Sequence, residues 1–150
     1  LATVIDTLAM RGDTGAVIVD YIQRIPLGRK SEGQRYLDIK YVSSLLLEKA
    51  VRQDIPVILG AQFSRAADNR PKLEHLRESG DIEQDASLIL GLYTKSVEDT
   101  EAFSTISKHP VVDMQVFILK NRVGQAGGSI TLSFNQPVYQ ITDKQAGSLF

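Results

Sequence analysis

The chain has 150 residues and carries 17 Lys and Arg against 18 Asp and Glu, a formal net charge of -1. That balance excludes a uniformly basic coat for nucleic acid, so any such binding must use a local patch or oriented backbone groups. With no cysteine, 43% hydrophobic and 23% charged residues, disulfide and thiolate–zinc frameworks, coiled coils and disordered chains are excluded. One soluble domain in a reducing cytoplasm is expected, with no apolar run near the ~20 residues of a membrane helix.

The sequence opens Leu-Ala-Thr-Val-Ile-Asp-Thr-Leu-Ala-Met, without an initiator Met, and Val4, Leu8 and Ala9 recur at helical spacing before Gly12. It reads as the last helix of a βα unit whose earlier part is absent. A Gly-Asp-Thr-Gly turn then delivers the chain into residues 16–21, Ala-Val-Ile-Val-Asp-Tyr. Four consecutive apolar residues predict a short strand buried on both faces of a parallel sheet, since a half-buried strand would alternate with polar residues. Asp20 stands at its carboxyl end, where open α/β sheets bind ligands. An acid there holds Mg²⁺ beside a nucleotide phosphate, or else caps the following turn.

Residues 24–33 contain Pro26, Gly28, Arg29, Lys30 and Gly33, a basic loop rich in helix breakers. A helix over 34–53 follows, with an apolar face of Ile39, Val42, Leu46 and Ala50 and with Lys40, Glu48, Lys49 and Arg52 off that face. Pro56 opens a second buried strand over 57–61, leading to Gln62 and completing a strand–helix–strand unit. Residues 72–77 predict a short helix ended by Gly80, and 81–86 another short turn. A third buried strand is expected over 88–93, a helix over 96–107, a long strand over 111–119, and a hairpin of 129–134 with 138–142 after a glycine-rich turn.

Three strands therefore run into polar residues able to face a phosphate: Asp20, Gln62, and the pair Lys120 and Arg122. Gln62 suits sensing a terminal phosphate or orienting water, or else capping a sheet edge. Lys120 and Arg122, two apart and so on one side of an extended segment, suit a phosphate or a solvated basic turn. The run Leu-Arg-Glu-Ser-Gly-Asp-Ile-Glu-Gln-Asp-Ala over 76–86 places a glycine turn where backbone N–H groups can meet an anion. Its carboxylates Glu78, Asp81, Glu83 and Asp85 read as a solvated face rather than a metal cluster. His75 and His109 have no nucleophile or metal ligand at a recognisable spacing.

At these residues the sequence resembles the C-terminal RecA-fold motor domain of DnaB-type replicative DNA helicases. The matching stretches are Val-Ile-Val-Asp-Tyr-Ile-Gln at 17–23, Pro-Val-Ile-Leu-Gly-Ala-Gln-Phe-Ser-Arg at 56–65, Arg70-Pro71, the run at 76–86, and Lys-Asn-Arg-Val-Gly-Gln-Ala-Gly at 120–127. They follow the family's order, and the run at 76–86 is the most specific. The resemblance implies that residues 1–150 are the C-terminal part of a RecA-like α/β domain. Its mainly parallel sheet would be flanked by helices and carry an antiparallel C-terminal hairpin.

The resemblance further implies that Asp20 is the Walker B acid organising Mg²⁺ beside ATP, and that Gln62 senses the γ-phosphate and relays its presence to DNA-binding loops. Arg77, Glu78 and Gly80 would belong to a loop gripping single-stranded DNA. Lys120 and Arg122 would reach a neighbouring subunit's ATP, Arg122 as an arginine finger. The implied partners are single-stranded DNA, like subunits in a hexameric ring, a primase and a helicase loader, and no membrane. The sequence departs from the family in several places: the strand before Asp20 that carries the family's catalytic glutamate is missing, the 28–33 loop is unusually basic and the 65–70 link is short. The sequence also holds no Gly-x-x-x-x-Gly-Lys-Ser/Thr loop, so the chain alone is expected to be inactive. Arg24 stands where an apolar residue is usual, and residues 97–109 have no counterpart. The competing expectation is a RecA-fold nucleic-acid-binding or assembly module that does not hydrolyse ATP.

Overall fold

The computed structural model describes residues 1–25, 35–64, 70–76, 80–94 and 111–144. The chain divides into two compact units, Leu1–Ala66 with Leu73–Ala86, and Ala67–Lys72 with Ser87–Phe150.

In the first unit, helix α1 spans Ala2–Met10 and ends at Gly12, whose φ of +72° is costly for any residue with a Cβ. Strand β1 (Val17–Val19) pairs in parallel with β2 (Val57–Leu59), Val17 opposite Val57 and Val19 opposite Leu59. Between them runs helix α2, Arg35–Gln53. It stops without glycine: Asp54 takes φ +52°, and Ile55 N–H donates to Ala50 O at 3.2 Å, so the last carbonyls are satisfied by a Schellman-type turn. Helix α3, Gly80–Asp85, closes the unit.

The apolar spacing of α2 does what it predicts. Ile39, Val42 and Leu46 are buried, and they meet Ile5, Val19, Ile22 and Ile82 in one core. Lys49, expected off that face, is instead buried. Its Nζ donates to both Asp6 oxygens, at 2.9 and 2.7 Å, and Gln53 Nε2 donates to Oδ1 at 2.8 Å. An ammonium enters a core edge only when a carboxylate is held against it, and α1 supplies one. The expectation that β1 and β2 are covered on both faces is not met: Ile18 is 73% and Ile58 56% exposed. Val17, Val19, Val57 and Leu59, on the opposite face, lie on the core.

Two further expectations change in the 72–86 region. Within the described residues 72–76 there is one 3₁₀ turn, Leu73–His75, after which Leu76 makes an antiparallel bridge to Phe63, and residue 77 lies outside the described residues. Gly80, expected to end a helix, begins α3. The helix is fastened to α2 by Ser43 Oγ donating to Asp85 Oδ2 at 2.7 Å and by Lys40 Nζ with Asp81 Oδ1 at 2.9 Å. The Asp81 carboxylate holds the Lys40 ammonium above its usual pKa range.

The second unit is a four-stranded antiparallel sheet in the order β3 (Leu88–Thr94), β4 (Val111–Asn121), β5 (Ser129–Asn135) and β6 (Gln140–Asp143). Antiparallel pairing thus extends beyond the C-terminal hairpin to the strand at 88–94. That strand alternates rather than being buried throughout: Ile89 and Gly91 face inward, while Leu88, Leu90 and Leu92 are exposed. Pro71 packs on Gly91 so closely that a Cβ there would lie 2.8 Å from Pro71 Cγ. The Arg70 guanidinium stands 4.9 Å from the centre of the buried Phe117 ring, in cation–π range. The helix expected over 96–107 lies outside the described residues.

Candidate functional site

Asp20 follows the last residue of β1 and is exposed. The parallel register that sets Val19 opposite Leu59 carries the two chains onward side by side: Gly60 N–H donates to Val19 O at 2.9 Å, and Ile22 N–H donates to Gly60 O at 3.0 Å. Gly60 is what lets them come this close. A Cβ on it would lie 3.3 Å from Tyr21 Cβ and 3.5 Å from Asp20 Oδ1. Two residues on, the Gln62 backbone N–H donates to Gln23 Oε1 at 3.4 Å, leaving the Gln62 side chain exposed at the same end of the sheet. The structure therefore places Asp20 and Gln62 at the same end of the parallel strands. Gly60 and Gln23 help to position them; both lie in stretches that match the family, but neither residue type points to a role in a site. The Asp20–Tyr21 peptide is cis, and Arg24 reaches back over the Tyr21 ring at 6.0 Å.

Among the described residues no group of three His, Cys, Asp or Glu side chains could hold a metal. A lone exposed carboxylate at a strand end still suits Mg²⁺, which keeps several waters and takes one or two protein carboxylates with phosphate oxygens. Asp20 is the residue that would hold it.

Beyond Gln62 the chain runs directly into the bridge to Leu76, and Ser64 N–H donates to His75 O at 2.8 Å. The segment after Gln62 is thus laddered to the segment leading into residue 77. Of the proposed DNA-binding residues, Arg77 and Glu78 lie outside the described residues. Gly80 is exposed, and a Cβ placed on it would meet nothing within 4 Å. Its role therefore does not follow from crowding.

In the sheet unit, Lys120 lies in β4 opposite Ile89, and Arg122 is exposed one residue past the strand. The Arg122 backbone N–H donates to Ser87 O at 2.9 Å. The hairpin loop beyond it is closed by two hydrogen bonds to Ile118, from Gly127 N–H to its O at 2.8 Å and from its N–H to Gly128 O at 2.9 Å, with Gly127 at φ +88°.

A strand–helix–strand unit ending in an acid and an amide, in a chain that also carries an antiparallel ladder, is an incomplete RecA-like α/β fold. More narrowly, the chain belongs to the DnaB-like helicase C terminal domain family, whose profile matches residues 1–143. The replicative DNA helicase DnaB of Mycoplasma pneumoniae is 34% identical over 116 residues, covering 74% of this chain and 24% of that protein. The replicative DNA helicase DnaC of Bacillus subtilis is 32% identical over 131 residues, covering 85% of this chain and 27% of that protein. The chain thus spans about a quarter of the length of these relatives. Among solved structures, a DnaB-like replicative helicase, described with its interactions with primase, superposes with a TM-score of 0.76 at 28% identity, over 95% of this chain and 35% of that one. A second solved structure, described as an ATPase domain, gives 0.76 at 29% identity over 95% of this chain and 50% of that one. Among the described residues no helix is long and apolar enough to cross a membrane.

Proposed function

We propose that this chain is the C-terminal part of the motor of an ATP-dependent replicative DNA helicase, working in a longer protein as a ring of like subunits, six by resemblance. The observation that carries the reading is the position of Asp20 and Gln62 at one end of the parallel strands, with the chain after Gln62 laddered to the segment that enters the 76–86 run. Asp20 is the Walker B acid: with Mg²⁺ and ATP bound, the ion would neutralise charge on the phosphates. Gln62 senses the terminal phosphate. Arg77, Glu78 and the amides near Gly80 hold phosphates of single-stranded DNA without reading its sequence. Lys120 and Arg122 act on the neighbouring subunit's nucleotide, Arg122 as the arginine finger. Primase and a loader are the partners of such a ring, and the cytoplasm is its place. The 150 residues contain no phosphate-cradling Gly-x-x-x-x-Gly-Lys-Ser/Thr loop, so by themselves they turn over no ATP.

The test is made in the full-length ring. Arg122→Ala should leave ATP binding nearly intact and cut turnover by on the order of 10³-fold or more. A phosphate-loop-dead subunit that keeps Arg122 should restore some turnover to Arg122→Ala subunits in mixed rings, because each supplies what the other lacks. Turnover within about twofold of the starting protein, as expected of a charge removed from a solvated turn, would sink the finger assignment. A full-length protein that binds single-stranded DNA but hydrolyses no ATP would establish the binding or assembly module instead.

A further inference from the structure

The turn that carries Arg122 is organised by a side chain to which nothing so far gives a role. Asn121 ends β4, and its Oδ1 accepts a hydrogen bond from the Val123 N–H at 3.2 Å, spanning Arg122. Such an Asx turn holds the intervening residue in one backbone conformation. On the other side, the Arg122 N–H is bound to Ser87 O at 2.9 Å. Both peptide N–H groups flanking the Arg122 Cα are therefore tied, one to the neighbouring strand's entry and one to Asn121. Gly124 completes the arrangement. A Cβ there would sit 2.7 Å from Asn121 Nδ2, so the missing side chain is the space in which the Asn121 amide folds over the turn. Val123, at 97% exposure, takes no part in burying the turn, so the hydrogen bonds rather than packing give it its shape.

We infer that Asn121 is a positioning residue for the arginine finger, with Gly124 providing the room its amide needs. The inference rests on the reading of Arg122 as a finger. A guanidinium lowers a barrier only if it stands where charge develops, and it is worth most when no reorganisation is needed at the moment of reaction. A side chain as long as arginine reaches a neighbouring subunit from a defined point only if its Cα–Cβ direction is defined, and the two N–H bonds define it. A misplacement of about 1 Å in a reacting group costs on the order of 10²-fold. Loss of the Asx turn should therefore cost less than loss of the guanidinium itself.

The experiment compares four single variants of the full-length ring, Arg122→Ala, Asn121→Ala, Asn121→Asp and Gly124→Ala, with the double variant that combines Asn121→Ala and Gly124→Ala. Two quantities are read, ATP turnover and the affinity for ADP with aluminium fluoride, a stand-in for the transferring phosphoryl group, relative to ADP alone. Asn121→Ala should lower turnover about 10- to 100-fold and weaken the analogue by a similar factor, with ADP affinity unchanged. Asn121→Asp keeps the acceptor oxygen and should stay within about threefold of the starting protein. Gly124→Ala should resemble Asn121→Ala. The double variant Asn121→Ala with Gly124→Ala should be no worse than either alone, since both remove the same hydrogen bond.

A merely structural contribution would weaken ADP and the analogue together and would add in the double variant. If Asn121→Ala leaves turnover and analogue affinity within about twofold while Arg122→Ala abolishes turnover, the positioning inference is wrong and the finger stands. If Arg122→Ala is itself without effect, both fall.

Discussion

Seven buried apolar side chains from helices, a strand and a 3₁₀ turn meet in one cluster in the unit built on β1 and β2, whereas the antiparallel sheet unit buries Ile89, Met114 and Phe117, with Pro71 against Gly91, among its described residues. On that sheet Leu90, Leu92 and Ile130 are 48, 58 and 56% exposed. The first unit is held by side-chain burial at about 25 cal/mol per Å² of apolar surface, and the second by its backbone ladder and a few close contacts. The proposed chemistry is distributed in the same way. Asp20 and Gln62 stand on strand ends anchored in a core, while Arg122 stands on a turn that owes its shape to hydrogen bonds.

The contrast is tested most strongly by equal truncations in the two units. Leu46, on the buried face of α2, should cost about 2–5 kcal/mol on Leu46→Ala, through lost transfer energy and the cavity left behind. Leu92→Ala removes the same atoms from an exposed position and should stay within about 0.5 kcal/mol. Denaturant midpoints of the full-length protein measure both. Equal losses would break the contrast by showing that Leu92 is covered in the intact protein.

A smaller effect should come from the closest contact in the sheet unit. Gly91→Ala puts a methyl group 2.8 Å from Pro71 Cγ and 3.0 Å from Leu119 Cδ1. Such overpacking costs about 1–3 kcal/mol, and Pro71→Ala in the same protein should return part of it by making room. If Gly91→Ala is neutral, Pro71 is not fastened to the sheet and the second unit depends on its ladder alone.

Much of this arrangement was legible in the sequence, because it follows from periodicity. The spacing of Ile39, Val42 and Leu46 located the core face of α2, and the apolar runs before Asp20 and Gln62 located both strands. What was not legible depends on partners distant in the chain. Lys49 reads as a solvent-facing charge until Asp6 is brought against it, 43 residues away in sequence. Gly80 reads as a helix stop because nothing local shows that Ser43 and Lys40 hold the helix beginning there. The strand at 88–94 reads as buried because Leu-Ile-Leu-Gly-Leu is apolar throughout, and only the antiparallel register separates its two faces. For the site, the types of Asp20, Gln62 and Arg122 pointed to phosphate chemistry. The residues that set their geometry, Gly60, Gln23 and Asn121, lie within the family-matching stretches, yet nothing in their type or spacing shows what each holds in place.

The smallest expected effect depends on pH and concerns the ion pair that joins α1 to α2. The hydrogen bond from the Lys49 ammonium holds the Asp6 carboxyl below its ordinary 3.8, outweighing the opposing effect of burial, and Gln53 adds to the lowering. A carboxyl that is harder to protonate when folded stabilises the fold wherever it is ionised in both states. That contribution is complete above 3.8 and is lost as the pH falls through the lower folded value, because the unfolded chain takes up the proton first. Asp6→Asn removes the titrating group but keeps the shape, so the variant should be less stable than the starting protein at neutral pH and the two should converge as acid is added. Denaturant midpoints at neutral pH and at successively lower pH follow that gap. A gap that stays constant into acid would show that the Asp6 charge contributes nothing and that Lys49 is kept at the core edge by packing of its methylene stem alone.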